Sequence, residues 1–255
     1  MLLLQTIIQM KNAILLILSF TFLFTNFVFG QKGIQANFLK KFNFGIRAGG
    51  NLSTLLYNDG ADQCAAELFG IEGSETYVPR YFIGGHTEFS FRDNMSITLG
   101  AQYVFKGGGE EFTMPDPANP SQRVSGTIDN RINYLQIPIQ YNFKLKNYSI
   151  GVGGYWSYAL SGEQVWDVEG SDTEKIDMQF GESAEDWMKK TDLGINIELG
   201  YKINNNFQIF AHYQQGLTPQ MSDANRETFK SLGYDYKFFH RAYGIGLTFF
   251  IPRKG

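Results

Sequence analysis

Five residues have side chains that could bind a metal, transfer protons or form ion pairs in the interior of a folded protein: Arg47, His86, Glu88, Glu198 and His212. Histidine and glutamate are the residues that most often bind divalent metals or act as general acids and bases. An arginine beside a glutamate instead forms a bidentate ion pair, which is a structural use of the same groups. The five residues lie on four separated segments, so the structure of those segments decides between these uses.

Those segments belong to a series of eight in which apolar side chains alternate with polar or small ones. In 193–201 the odd positions are leucine, isoleucine and tyrosine, whereas the even positions are glycine, asparagine and glutamate. A period of two predicts β-strands that have one apolar face and one polar face. The eight predicted strands are 42–57, 80–91, 95–106, 131–143, 148–160, 191–202, 206–218 and 239–251.

The connections between these strands alternate strictly between short and long. The short ones are 92–94, 144–147 and 203–205, and the long ones are 58–79, 107–130, 161–190 and 219–238. Barrels of the bacterial outer membrane have this asymmetry, with short periplasmic turns and long extracellular loops. The sequence therefore predicts an all-β fold, an eight-stranded antiparallel up-and-down transmembrane β-barrel. It also predicts that the barrel lies in the bacterial outer membrane with both termini periplasmic.

The apolar face of each strand is predicted to meet lipid. Its bulky side chains are too large for the interior of eight strands, whereas the small polar set suits a narrow, filled lumen. Aromatic residues gather towards both ends of the outward face, which is typical of the two girdles at the bilayer interfaces. The predicted girdle residues are Tyr81, Phe91, Tyr134, Tyr141, Trp156, Tyr158, Tyr201, Tyr213, Tyr243 and Phe249.

The five polar residues share the inward face and form a predicted lumen polar cluster. Charges in a filled lumen are costly unless they are paired. Arg47 and Glu88 lie on neighbouring strands, so we expect them to pair, with Glu198 as a second acceptor. The sequence favours a structural plug over a catalytic or metal site, and a narrow proton or ion path is the alternative. No catalytic, cofactor-binding or metal-binding residue is predicted, and no cofactor.

The first thirty residues have the features of a secretory signal peptide rather than of a folded element. Lys11 precedes an apolar run at 13–29, and Val28 and Gly30 occupy the −3 and −1 positions of a cleavage site. Translation from Met10 is an alternative start. The predicted organisation is a signal peptide at 1–30, a short periplasmic segment at 31–41, the barrel at 42–251 and a tail at 252–255.

The four long loops are the predicted recognition surface, because loops on a rigid scaffold carry binding functions. The third loop holds nine acidic residues, and its end at 182–190 has acidic residues before lysines, which favours a short helix. The partners expected are outer-membrane lipids, contacted at headgroup level by His240 and Arg241, and another envelope protein bound through the loops. The formal charge of −3 is too small to indicate nucleic acid.

Three stretches resemble the PorT-like outer-membrane β-barrel family of the Bacteroidota, which has the OmpA/OmpX-type eight-stranded architecture. FGIRAGGNLSTL at 44–55 is similar to the opening strand of that family. NYLQIPI at 133–139 is similar to its mid-barrel N-Y-L-x-I-P strand, and YGIGLTF at 243–249 is similar to its last strand. The resemblance implies a type of barrel rather than an activity. The member that gives the family its name is tied to type IX secretion and gliding.

The leading functional hypothesis is a small outer-membrane β-barrel protein with a side-chain-filled lumen and four long extracellular loops. Its role would be structural, or would lie in interaction with a partner or ligand, and it is not predicted to be an enzyme. The first alternative is narrow, porin-like channel transport. The second alternative is a lipid-modifying outer-membrane enzyme or a type IX secretion accessory protein.

Overall fold

The structure, a computed structural model, describes residues 41–116 and 119–252. The predicted signal peptide, most of the segment after it and the last three residues of the tail lie outside these ranges. In chain order the described elements are β1 (Phe42–Tyr57), α1 (Asp59–Phe69), β2 (Glu72–Thr76), β3 (Val78–Arg92), β4 (Met95–Pro115), β5 (Arg123–Leu145), β6 (Tyr148–Val168), β7 (Glu174–Asp177), β8 (Thr191–Lys202), β9 (Phe207–Gly216), α2 (Asp223–Ser231) and β10 (Phe238–Phe250). Neither of these two helices is long and apolar enough to cross a membrane.

Eight strands form a closed antiparallel ring in the order β1, β3, β4, β5, β6, β8, β9 and β10. The ring closes where β10 pairs with β1, from Gly45 opposite Phe250 to Tyr57 opposite Phe238. Closure leaves no strand of the ring with an unpaired edge. The predicted eight-stranded up-and-down transmembrane barrel is therefore confirmed. The observed strand bounds lie within two residues of the predicted ones, except at one end of β4, β5 and β6.

The two faces of the barrel wall differ as the alternation predicts. On β8 the outward Leu193 and Leu199 are exposed, whereas the inward Asn196 and Glu198 are buried. The same outward row continues around the ring as an aliphatic band, which is the surface that a hydrocarbon layer covers. The sequence therefore places apolar side chains towards lipid and polar ones in the lumen.

At the end of the barrel that carries the long loops, here called the loop end, β4, β5 and β6 extend beyond the ring. The sequence predicts that the limits of these strands at the loop end are 106, 131 and 160. This prediction is wrong, because the hydrogen-bonded ladders between the strands continue to Pro115, Arg123 and Val168. β2 pairs with β4, and β7 pairs with β6, to complete a five-stranded extension. Both faces of this extension contain polar residues, so its sequence lacks the apolar period that marks the membrane strands.

The long connections 58–79, 107–130, 161–190 and 219–238 together form a folded structure, which we call the crown. It contains α1, with the buried Cys64, and α2, whose first turn is capped by the Ser222 hydroxyl accepting from the amide of Asn225. The helix predicted at 182–190 is wrong, because this segment forms turns and isolated bridges around the buried Met188. Burial of that side chain outweighs the weak helix signal of the local charges.

Adjacent glycines on β1 face opposite sides of the wall and differ in the space around them. A Cβ on Gly49 would lie 2.6 Å from Cζ of Phe82 and would also overlap the carbonyl oxygen of Ile245. A Cβ on Gly50 would have no neighbouring atom nearer than 3.6 Å. Only the first position therefore requires glycine for close packing.

We expect Gly49→Ala to lower the free energy of unfolding by about 1–3 kcal/mol, because the added methyl group forces Phe82 and the strand apart. Gly50→Ala is the matched control, and it should change stability by less than about 0.5 kcal/mol. Urea unfolding of barrels refolded into lipid vesicles measures both values. Equal losses at the two positions would contradict the described packing.

Candidate functional site

A buried ion pair spans the lumen between Arg47 and Glu198. Arg47 lies on β1 and Glu198 on β8, three strands away around the ring. Nη2 of Arg47 is 2.6 Å from Oε2 of Glu198, and the two side chains are only 4% and 8% exposed. The guanidinium also lies 3.8 Å from the ring centre of Phe210 on β9. This pair therefore connects distant parts of the wall across the interior.

The predicted pair between Arg47 and Glu88 is wrong. Glu88 accepts hydrogen bonds from Nζ of Lys144 at 2.6 Å and from Nδ2 of Asn43 at 3.1 Å. Side chains on adjacent strands project side by side into a barrel, whereas those on distant strands project towards each other. A long arginine thus reaches across the narrow lumen, and the strand stagger brings Lys144 of β5 to Glu88.

The two histidines of the predicted cluster lie among aromatic rings. The ring of His86 is 5.7 Å from that of Phe250, and the ring of His212 is 5.3 Å from that of Phe82. In residues 41–116 and 119–252, no group of three or more histidine, cysteine, aspartate or glutamate residues is arranged to hold a metal ion. The structure therefore brings the five predicted residues to one lumen but uses them as packing and ion pairs.

A second buried ion pair lies nearer the loop end. Nζ of Lys106 is 3.6 Å from Oδ2 of Asp192, and the two side chains are 1% and 0% exposed. The ammonium group also lies 4.0 Å from the ring centre of Tyr155. Neither residue belongs to the predicted lumen polar cluster. The alternation of side chains could have identified Asp192, because it lies an even number of residues from the inward Glu198 on the same strand.

Tyr134 and His240 are inside the barrel, not at the lipid interface. They share a hydrogen bond of 2.8 Å between the hydroxyl and Nε2, and both are fully buried. The predictions of Tyr134 as a girdle residue and of His240 as a headgroup contact are therefore wrong. Tyr134 faces inward, as does Gln136 two residues further along β5. The β-bulge beside Tyr134 places its extra residue in β6, so the alternation of side chains along β5 is not interrupted.

The remaining predicted girdle residues lie on the outside of the wall, exposed or half-buried. Several stack in pairs, as Tyr213 does with Tyr243 at 5.1 Å between ring centres. They are Tyr81, Phe91, Tyr141, Trp156, Tyr158, Tyr201, Tyr213, Tyr243 and Phe249. Rings on the outer surface near both ends of the strands fit the two interfacial zones of a bilayer.

An apolar cluster covers the lumen at the loop end. Met188 and Met221 come from two different long connections, and Phe238 begins β10. All three are fully buried against the barrel strands. The complete cluster is Leu55, Ile132, Tyr134, Ala159, Met188, Met221 and Phe238. The crown is therefore packed onto the barrel rather than extended into solvent.

At the opposite end, where the short turns lie, the lumen opens as a polar vestibule of about 560 Å³. Glu88, Glu198 and His86 line it, together with Lys144. The pair formed by Glu198 with Arg47 is thus reached from this side. The second ion pair and the apolar cluster lie between the vestibule and the loop end, so within the described residues the lumen opens towards the short turns only.

Acidic residues in the crown face one another beneath α1. Glu75 of β2 is directly opposite Glu110 of the β4 extension, and both line a cavity of about 260 Å³ with Asp62. Burial, and then the charge of Glu75, raise the pKa of Glu110 and of Asp62 above their ordinary values. The folded crown therefore binds these protons more tightly than the unfolded chain does. The contribution of these two groups to stability is therefore present at low pH and is lost as pH rises through their raised pKa values.

The closed ring, the lipid-facing band and the plugged lumen define an outer-membrane β-barrel protein. The chain belongs to the outer membrane protein beta-barrel domain family, whose family model matches residues 29–221. A comparison with curated protein sequences gave no match.

Three solved structures illustrate the similarity. Neisserial surface protein A has 10% identity and a TM-score of 0.41, covering 82% of this chain and 97% of its own. Ail of Yersinia pestis has 10% identity and a TM-score of 0.39, covering 83% of this chain and 99% of its own. OprG from Pseudomonas aeruginosa has 13% identity and a TM-score of 0.35, covering 83% and 96%. Similarity at this level gives no ground for transferring a function.

The cross-lumen pair generates a quantitative prediction. Arg47→Ala leaves the carboxylate of Glu198 buried without a partner, so we expect a loss of roughly 3–5 kcal/mol in the free energy of unfolding. Adding Glu198→Gln removes that charge and should recover part of the loss. A double-mutant cycle in refolded barrels measures the coupling between the two positions.

The matched control is the same cycle with Glu88→Gln in place of Glu198→Gln. Because Glu88 pairs with Lys144, its effect should add to that of Arg47→Ala. Coupling to Glu88 rather than to Glu198 would mean that the described pairing is wrong.

Proposed function

We propose that this protein is a closed outer-membrane scaffold that presents its crown to another component of the cell envelope. The observation that carries the proposal is the crown itself, a folded structure with two helices and an apolar cluster packed over a plugged lumen. Ordering these connections costs conformational entropy, and the two buried ion pairs already occupy the lumen beneath them. A fixed crown surface is what recognition requires.

The proposed orientation places the crown outside the cell and the short turns in the periplasm. It is supported by the alternation of three short and four long connections, which is the arrangement of outer-membrane barrels. Both ends of the barrel segment, at β1 and β10, lie on the side of the short turns. The termini are therefore proposed to be periplasmic.

The charge of the crown favours a basic partner. Its four connections contain 21 of the 25 acidic residues of the chain but only 7 of the 22 basic residues, a net charge of −14. The three short turns and the strand ends beside them have a net positive charge. Their basic residues are Arg92, Lys144, Lys146 and Lys202, and their acidic residue is Asp93. A negative surface attracts positively charged partners and disfavours negative ones.

The alternatives from the sequence are less well supported. A channel needs a continuous polar path, whereas two buried ion pairs and the apolar cluster occupy the lumen. A lipid-modifying enzyme would need a reactive group at the lipid face, whereas His240, the histidine expected there, is buried against Tyr134. Membership in the PorT-like group, and with it a role in type IX secretion, rests on the strand motifs alone.

Photo-cross-linking in the native cell tests the proposed function. A photoreactive residue at Ser171, in the third long connection, should give a covalent adduct with an envelope protein that has a basic surface. The same residue at Asp93, in a short turn, is the matched control and should not give that adduct. Neutralising the acidic residues near Ser171, by Asp167→Asn, Glu169→Gln, Asp172→Asn and Glu174→Gln, should reduce the adduct about tenfold, as expected when several weak charge contacts are lost. An adduct from Asp93 only, or one unaffected by neutralisation, would contradict the proposal.

A further inference from the structure

A polar group lies on the outer face of β9 and β10 near the loop end, within the lipid-facing surface. Arg241 and Gln215 are paired residues of these strands, and Nε of Arg241 donates to Oε1 of Gln215 at 2.8 Å. The Tyr213 hydroxyl donates to the same oxygen at 3.0 Å. Tyr243 and Ile245, the next outward residues on β10, are 46% and 72% exposed. Arg241 is thus held in a fixed position at the outer margin of the apolar band.

Tyrosine rings surround this guanidinium. The rings of Tyr213 and Tyr243 are 5.1 Å apart, and the ring of Tyr77 is 5.7 Å from that of Tyr243. The Tyr77 hydroxyl lies beside the Arg241 guanidinium. Three phenol groups and one arginine therefore converge on one small region of the outer surface. The Tyr213 proton is donated to Gln215, so the guanidinium is the group that makes this region suit an anion.

The guanidinium of Arg241 differs from those of the other arginines near the loop end. In the described parts of the chain it has no carboxylate partner, whereas each of the following forms an ion pair: Arg80, Arg123, Arg131 and Arg226. Gln215 accepts the Nε proton and the Tyr77 hydroxyl lies against the terminal nitrogens, which leaves the remaining terminal N–H groups of Arg241 for another ligand. A guanidinium next to lipid without a counter-ion is costly, so an anion from outside the protein is expected there.

We propose that Arg241 binds the phosphate of an anionic lipid headgroup, with Gln215 as its positioning residue and Tyr77, Tyr213 and Tyr243 as flanking groups. Arginine presents two parallel N–H donors that match two phosphate oxygens. The tyrosines lie at the level where headgroups meet hydrocarbon. Lipid is the source of the phosphate because the outward faces of β9 and β10 lie against the bilayer. This inference depends on the barrel and not on the proposed partner of the crown.

Lipid binding to the whole barrel, measured by native mass spectrometry from a neutral detergent, tests this site. Phosphatidylglycerol should bind the unmodified protein, and phosphatidylcholine should not compete with it. Arg241→Gln should weaken phosphatidylglycerol binding about tenfold, because a charge-assisted pair is lost. Arg92→Gln is the matched control, since Arg92 is an exposed arginine at the turn end and likewise has no carboxylate partner in the described residues. It should change binding less than about twofold.

Equal weakening by the two substitutions, or none by Arg241→Gln, would overturn the proposal. Inorganic phosphate that displaces the lipid at equal concentration would also overturn it, because the site would then recognise free phosphate. If Arg241→Gln does not form a barrel with heat-modifiable migration, Arg241→Lys replaces it. Lysine keeps the charge but not the paired donors, so we expect about threefold weaker binding. Unchanged binding by the lysine variant would refute the role of the guanidinium.

Discussion

The constraint on which this structure depends is that a backbone amide or carbonyl group in lipid must have a hydrogen-bond partner. Pairing β10 with β1 meets it by closing the ring, and eight strands leave only a narrow interior. The polar face of every strand then lies in that interior, where a charge without a partner is costly. The pairs Arg47–Glu198 and Lys106–Asp192 follow from this requirement. They connect the wall across the lumen.

The same constraint separates the molecule into two parts with different tasks. Within the membrane few residue types are tolerated at each position, because the alternation along a strand fixes which side chains face lipid. Beyond the ring, β4, β5 and β6 continue as a sheet with solvent on its exposed side, and the connections fold over the lumen. Most of the acidic residues are in this second part. The proposed function accordingly assigns recognition of a partner to the crown and makes the barrel its scaffold.

The sequence predicts the barrel well because its physical signal is periodic. Alternation gives the bounds of β1 and β8 and the inward position of Arg47. It does not give the angular position of a residue around the ring, which is why the sequence favours Glu88 as the partner of Arg47 and gives Glu198 only as a second acceptor. The aromatic character of Tyr134 suggests a girdle residue, whereas its position in the alternation of β5 is inward, and the structure follows the alternation. The sequence indicates loops where the crown has strands, because strands with polar residues on both faces show no alternation of apolar residues.

The central claim, that the lumen is closed, is tested most directly by conductance of the purified barrel in a planar bilayer. The account predicts no steady current for the unmodified protein. It also predicts none for Arg47→Ala, because Lys106, Asp192 and the apolar cluster above them still fill the path. A steady, ion-selective current through the unmodified protein would contradict the account and favour the channel.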